Sequence, residues 1–176
     1  MSSQLVVVVV SFAAVVAMML AELRLSRTNE RALLARGAVE PPDPVFAAMR
    51  WAYPGAFVAM AVEGLFAQGP PVASAVIGAG VLLSGKALKY WAIASLGSRW
   101  TYRVLVLPGA PLVRTGPYRI LRHPNYVGVI GEMAGMAMLV RAPVAGAAGT
   151  AFFALLLWRR IRAEEQAHRT IGRAAL

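Results

Sequence analysis

Residues 126–158 read YVGVIGEMAGMAMLVRAPVAGAAGTAFFALLLW. Two apolar runs, Tyr126 to Val140 and Val144 to Trp158, are separated only by Arg141, Ala142 and Pro143. So short a linker predicts a tight helical hairpin, its two arms antiparallel and packed together. Each run falls short of the roughly 20 residues a straight membrane span needs. Small residues at the edges extend them, and a bilayer can thin locally around a short span. Three further apolar stretches precede the hairpin: Leu5 to Leu20, Trp51 to Phe66, and Val72 to about Leu88. The reading is an all-α, polytopic integral membrane protein of about five transmembrane helices ending in a helical hairpin.

Composition agrees. Of 176 residues, 59% are hydrophobic and only 15% charged, against about 45–50% and about 25% for soluble domains. The length fits a single membrane domain over residues 1–176. With no cysteine, disulfides, thiolate zinc sites, iron–sulfur clusters and a cysteine nucleophile are excluded. His123 and His168 are the sole histidines, so no metal site is expected. A net charge of +10 would point to nucleic acid in a soluble protein. Here the arginines fall between apolar runs, not along one amphipathic face. They therefore read as topology signals and contacts for membrane lipids, with no nucleic acid expected.

The first apolar stretch has no basic residue before it, which argues against a signal peptide. Arg24, Arg27, Arg31 and Arg36 follow it. Arg99, Arg103, Arg114, Arg119 and Arg122 lie between the third and fourth stretches, and Arg159, Arg160, Arg162, Arg169 and Arg173 after the fifth. With the amino terminus outside and five crossings, all of these share the cytoplasmic side and Arg141 alone lies opposite. The expected location is a cell membrane, with the basic loops and tail facing the cytoplasm. Between the spans, Arg24 to Asp43 predicts a short amphipathic helix ending in a turn. Gly69-Pro70-Pro71 predicts a chain break. Val104 to Leu107, Pro108-Gly109 and Leu112-Val113 predict a small cytoplasmic β-hairpin.

Chemistry concentrates in residues 116–128, GPYRILRHPNYVG. Pro124 suits the first turn of a helix, which makes His123 its cap. The helix start has free N–H groups and a positive dipole end, and with Arg119 and Arg122 it suits a carboxylate or phosphate. Glu132 follows Asn125 by seven residues, on the same face, about 12 Å along the helix from Pro124. A carboxylate at that depth must be paired, protonated or facing a wet cavity. It is either a base or a structural partner of Lys86 or Lys89. Glu63, near the outer end of the second span, is expected to reach the headgroups. Gly128, Gly131 and Gly135 read as close helix packing, with approach to a ligand as the other reading. Met133, Met136, Met138, Phe152 and Phe153 read as packing or lipid-facing residues. Glu164 and Glu165 either pair with Arg160 and Arg169 along their own helix or return to His123. His168 reads as solvated.

Arg122-His123-Pro124-Asn125-Tyr126-x-Gly128, Glu132 and Arg162-x-Glu164-Glu165 resemble the isoprenylcysteine carboxyl methyltransferase family, membrane enzymes that use S-adenosylmethionine. The likeness covers roughly Leu96 to Gln166. Glu22, Ser26, Asn29, Glu30 and Arg31, with Arg99-Trp100-Thr101-x-Arg103-Val104, look like a small bacterial branch that O-methylates lipidic products such as alkylpyrones and alkylresorcinols. The resemblance implies that residues 1–95 carry helices 1–3, and residues 96–176 a cofactor-binding loop, helices 4–5 and a tail. It implies a cytoplasm-facing pocket formed by Val113, Tyr118, Arg119, Leu121, Arg122, His123, Pro124, Tyr126, Gly128 and Glu164. A lipophilic acceptor would enter sideways from the bilayer.

Glu132, Arg103 and Asn125 are the catalytic candidates. Glu132 would be the base for a phenol or enol, and Arg99 or Arg103 would orient an acidic acceptor. A sulfonium donor is already activated, so the protein's task is alignment, and no metal is called for. The sequence departs from eukaryotic members after Glu165, where their tails are longer, which puts a prenylcysteine substrate in doubt. A His-Pro-x-Tyr-x-Gly string also resembles NADPH-dependent sterol-type reductases, although Val129 stands where those carry glutamate, and phospholipid N-methyltransferases. The non-enzyme alternative is a lipid-binding scaffold.

Overall fold

The computed structural model describes residues 3–68 and 72–173. Five α-helices follow in chain order: α1 (Ser3–Ala35), α2 (Phe46–Phe66), α3 (Val72–Leu96), α4 (Pro124–Val140) and α5 (Pro143–Arg173). The apolar stretches form these helices, but α3 and α5 run well beyond them. The expected break at Gly69-Pro70-Pro71 and the side chain of His168 lie outside the described residues.

α1 is continuous for 33 residues, so the separate amphipathic helix expected from Arg24 does not form. Neither glycine nor proline interrupts the run before Gly37. That glycine, at φ +82°, ends it. Ala38 N–H donates to the Leu33 carbonyl and Gly37 N–H to that of Leu34, each at 3.0 Å. This left-handed closure satisfies carbonyls that the helix cannot. One stripe of α1 is buried: after Gln4 at its start come Val8 and Val15, then Glu22, Ser26, Asn29 and Leu33. The inward face thus turns from apolar to polar partway along the helix.

Glycines set the packing of α3 on α4, the most extensively packed pair. A Cβ on Gly85 would lie 2.7 Å from the Glu132 backbone nitrogen, and one on Gly128 would lie 2.8 Å from the Gly85 carbonyl. Gly78 and Gly135 make equally close approaches along the same seam. Backbones meet where side chains are missing, which is the packing reading of the glycine spacing.

The end holding the α1 amino terminus closes on itself. Gln4 Nε2 donates to the carbonyls of Gly64 (2.8 Å) and Val140 (3.0 Å). Arg141, at φ 59°, ends α4, and α5 begins two residues later. Glu63 finds a partner within the bundle. Its carboxylate accepts the N–H groups of Val144 (3.1 Å) and Ala145 (2.6 Å), capping the positive end of α5. Between these ends, Phe57, Met60, Met133, Met136 and Phe153 form the core.

The expected hairpin after Val104 is absent. Val106 instead pairs with Val39 in an isolated antiparallel bridge, N–H to carbonyl at 2.8 and 2.9 Å. Val104 and Val106 pack with Ala167 beneath the end of α5. The β-prone residues pair with the α1–α2 loop instead, while Ala110 N–H turns back to the Leu107 carbonyl at 3.2 Å and the Pro111 carbonyl accepts Arg99 Nη1 at 2.5 Å. No named strand occurs among the described residues.

Three helices are long and apolar enough to cross a membrane: Ser3–Ala35, Ala73–Arg99 and Pro143–Ala167. α2 and α4 complete the bundle, and α4, at 17 residues, is about 25 Å long. The glycine seam makes a direct prediction. Gly85→Val forces the α3 and α4 backbones apart and costs about 3 kcal/mol or more. Gly80→Ala, with nothing within 4 Å of its new methyl, costs nothing. Thermal unfolding of the two variants in detergent reads the difference.

Candidate functional site

The close α3–α4 approach brings four charged side chains together. Lys86 and Lys89 share one face of α3, opposite Glu22 of α1 and Glu132 of α4. Lys86 Nζ lies 3.2 Å from Glu22 and 3.0 Å from Glu132. Lys89 Nζ lies 2.6 Å from Glu22 and 3.6 Å from Glu132. All four are buried, Glu132 completely. Two positive and two negative charges sum to zero, the condition under which ions tolerate burial. Two phenols complete the group: Tyr53 of α2 donates to Glu132, and Tyr102 donates to Glu22 at 3.0 Å. Of the two sequence readings of Glu132, the pairing with lysine is present, with both lysines engaged.

A second polar cluster forms where α4 begins. α4 starts at Pro124 with His123 as its cap. The His123 ring stacks on Tyr126, centroids 5.6 Å apart and planes 10° from parallel. α5 returns to this point: Tyr126 O–H donates to Glu164, whose carboxylate lies 3.9 Å from His123 Nδ1. Glu165 lies 3.8 Å from His123 Nε2 and 3.9 Å from Arg122. Both readings of the glutamate pair are therefore met, since Arg160 Nε also holds Glu164 at 3.1 Å and Arg169 holds Glu165 at 3.6 Å.

Arg160 joins the two clusters. It lies 3.7 Å from Asp43 and donates to the Tyr102 carbonyl, while the Tyr102 phenol reaches Glu22. The loop between is strapped to α1. Asn29 Nδ2 donates to the carbonyls of Trp100 (2.8 Å) and Gly97 (3.3 Å), and Ser26 Oγ accepts Tyr102 N–H at 2.8 Å. Burial, then the Glu22 carboxylate, push the Tyr102 phenol well above its ordinary range. Burial followed by the Glu164 carboxylate push Tyr118 up to about 12. Both remain neutral hydrogen-bond donors at physiological pH.

The expected site residues divide accordingly. His123, Tyr126 and Glu164 meet directly, Arg122 approaches through Glu165, and Tyr118 lies within the field of Glu164. Pro124 is buried at the helix start. Val113 and Leu121 are partly buried and Arg119 is exposed on the connecting segment. Gly128 sits in the α3–α4 seam against Gly85 and Lys89. Asn125 accepts the Trp100 indole N–H at 3.3 Å, and Arg103 is engaged with Glu40 at 2.5 Å. The sequence reading missed Tyr53, Tyr102 and Asp43. The partners that tie them to the site all lie at least 58 residues away, which no local pattern reveals.

A bundle of apolar helices with a polar site at one end defines an integral membrane protein built to act where bilayer meets water. Residues 76–169 match the profile of the isoprenylcysteine carboxyl methyltransferase (ICMT) family, and the chain belongs to that family; it is a membrane methyltransferase. Its relatives include the uncharacterized protein YpbQ of Bacillus subtilis, 35% identical over 84% of this chain and 88% of that one. An uncharacterized protein of Haemophilus influenzae is 26% identical over 90% of this chain and 92% of its own. No solved structure matches.

The buried quartet is testable by charge balance. Lys86→Met and Glu22→Gln each leave one unmatched buried charge and cost about 3–5 kcal/mol. The double variant is neutral again and recovers a large part of that loss. Reversible unfolding of the three variants in mixed micelles measures the coupling.

Proposed function

We propose that the chain is an S-adenosylmethionine-dependent O-methyltransferase acting on a lipophilic acceptor, with five membrane crossings, its amino terminus outside and its site facing the cytoplasm. One observation carries the reading: the segment matched to the family contains the whole His123–Tyr126–Glu164 cluster. The residues suit the cofactor's parts. The α4 start with Arg119 and Arg122 suits its carboxylate, Glu164 and Glu165 suit its ammonium and ribose hydroxyls, and the stacked His123–Tyr126 pair suits its adenine. Val113, Tyr118 and Leu121 are proposed to close the pocket.

When bound, S-adenosylmethionine supplies a methyl whose bond to sulfur breaks as the bond to the acceptor oxygen forms, leaving the electron pair on sulfur. The chain's part is alignment and exclusion of water. Because Glu132 is fully buried and held by Lys86, Lys89 and Tyr53, the reading favours an acceptor that arrives already ionised, a carboxylate or acidic enol. Glu132 then acts by positioning α4, Asn125 by holding Trp100, and Arg103 by orienting the anion.

The test is calorimetric binding of S-adenosylhomocysteine and of NADPH to the purified protein. S-adenosylhomocysteine is expected to bind, with His123→Ala abolishing binding and Glu164→Gln weakening it by roughly tenfold. NADPH is expected not to bind. Binding of NADPH alone would replace the proposal with a reductase.

A further inference from the structure

The face of α5 turned away from Glu164 bears a different feature. A cavity of about 600 Å³ opens between the Pro44-Val45 turn and α5, where Trp158, Arg159, Arg162 and Ala163 line it. The arginines of this helix fall into two groups. Arg160 is matched by Asp43 and Glu164, and Arg169 by Glu165. Arg159 and Arg162 have no carboxylate within salt-bridge distance among the described residues. The Arg162 guanidinium lies over the Trp158 ring, 3.9 Å from its centroid, which fixes it at the mouth of the cavity.

The depth of the cavity in the bilayer follows from its neighbours. Arg160 lies over the Phe46 ring and touches the Met49 sulfur, so this part of α5 is level with the first turn of α2. There Arg50 lies over the exposed Trp51 ring. Two arginine–tryptophan pairs at one level mark the headgroup region. Helical spacing extends the arginine face of α5 the other way through Leu155 and Phe152, both about half exposed. One face therefore passes from two unmatched cations to an apolar strip, the charge and polarity pattern of a single anionic amphiphile.

We propose that this cleft binds one anionic phospholipid of the adjacent leaflet, its phosphate between Arg159 and Arg162 and an acyl chain along Leu155 and Phe152. A zwitterionic lipid fits less well, since its headgroup cation would be set among the arginines. The site is separate from the methyl-transfer reading and stands whether or not that reading holds.

Native mass spectrometry of the whole protein released from nanodiscs of equal phosphatidylglycerol and phosphatidylcholine tests it. Wild-type protein is expected to retain phosphatidylglycerol over phosphatidylcholine by about tenfold or more. Arg159→Gln with Arg162→Gln abolishes the preference. Arg24→Gln with Arg27→Gln removes the same charge from α1 and leaves it unchanged. Ala163→Trp fills the cleft at constant charge and also abolishes the preference, and Arg162→Gln alone reduces it, so the test does not rest on one variant. Equal retention of the two lipids by wild type would overturn the proposal. So would equal losses in the two double-arginine variants, because a diffuse leaflet charge then explains the preference.

Discussion

Two ammonium groups and two carboxylates share one buried compartment between α1, α3 and α4, and that neutrality constrains everything around it. Neither lysine can be so deeply buried unless both glutamates are near, and Glu132 cannot be near unless α3 and α4 touch backbone to backbone. The glycines at 78, 85, 128 and 135 make that contact possible. Tyr53 and Tyr102 add hydrogen bonds to the carboxylates, and through Tyr102 the ionic centre fixes the loop that leads to Arg160 and the His123 cluster. Stability in the core and order at the site thus depend on the same charges.

The two ends of the bundle are built differently. At one end the chain satisfies its own helix termini: Gln4 spans two carbonyls, Glu63 caps α5, and Arg141 turns the chain between α4 and α5. At the other end the polar groups are more numerous and less enclosed. The His123, Glu164 and Glu165 side chains are 26%, 18% and 36% exposed, so they can exchange partners with a ligand without uncovering the core. A closed end and an open, charged end are consistent with the proposed function, in which a water-soluble donor arrives from one side and a greasy acceptor from the bilayer.

Much of this was legible in the sequence, because periodicity and punctuation are local properties. The apolar runs, the proline at the start of α4 and the short Arg141–Pro143 link placed helices and hairpin directly. The motif from Arg122 to Gly128 pointed, by resemblance, to the family. What escaped the reading depends on distant partners. Glu63 meets the start of α5 from the end of α2, about 80 residues apart, and looked like a headgroup contact. Val106 pairs with Val39, so its β-propensity was correct and its partner was not. The continuity of α1 past Arg24 is not legible locally because a polar stretch reads as a boundary, whereas the helix ends only where Gly37 allows a left-handed turn.

The distribution of the four buried charges along the chain also bears on biogenesis. α1 brings one negative charge, α3 two positive and α4 one negative. A charged residue at the centre of an isolated membrane helix costs about 2.5–3.5 kcal/mol, less toward its end. As the nascent chain emerges, α3 is over-charged beside α1 alone and becomes neutral only when α4 arrives. The charge pairing is therefore complete only once the α4–α5 hairpin is made, which ties the final settling of α3 to the arrival of its last partner.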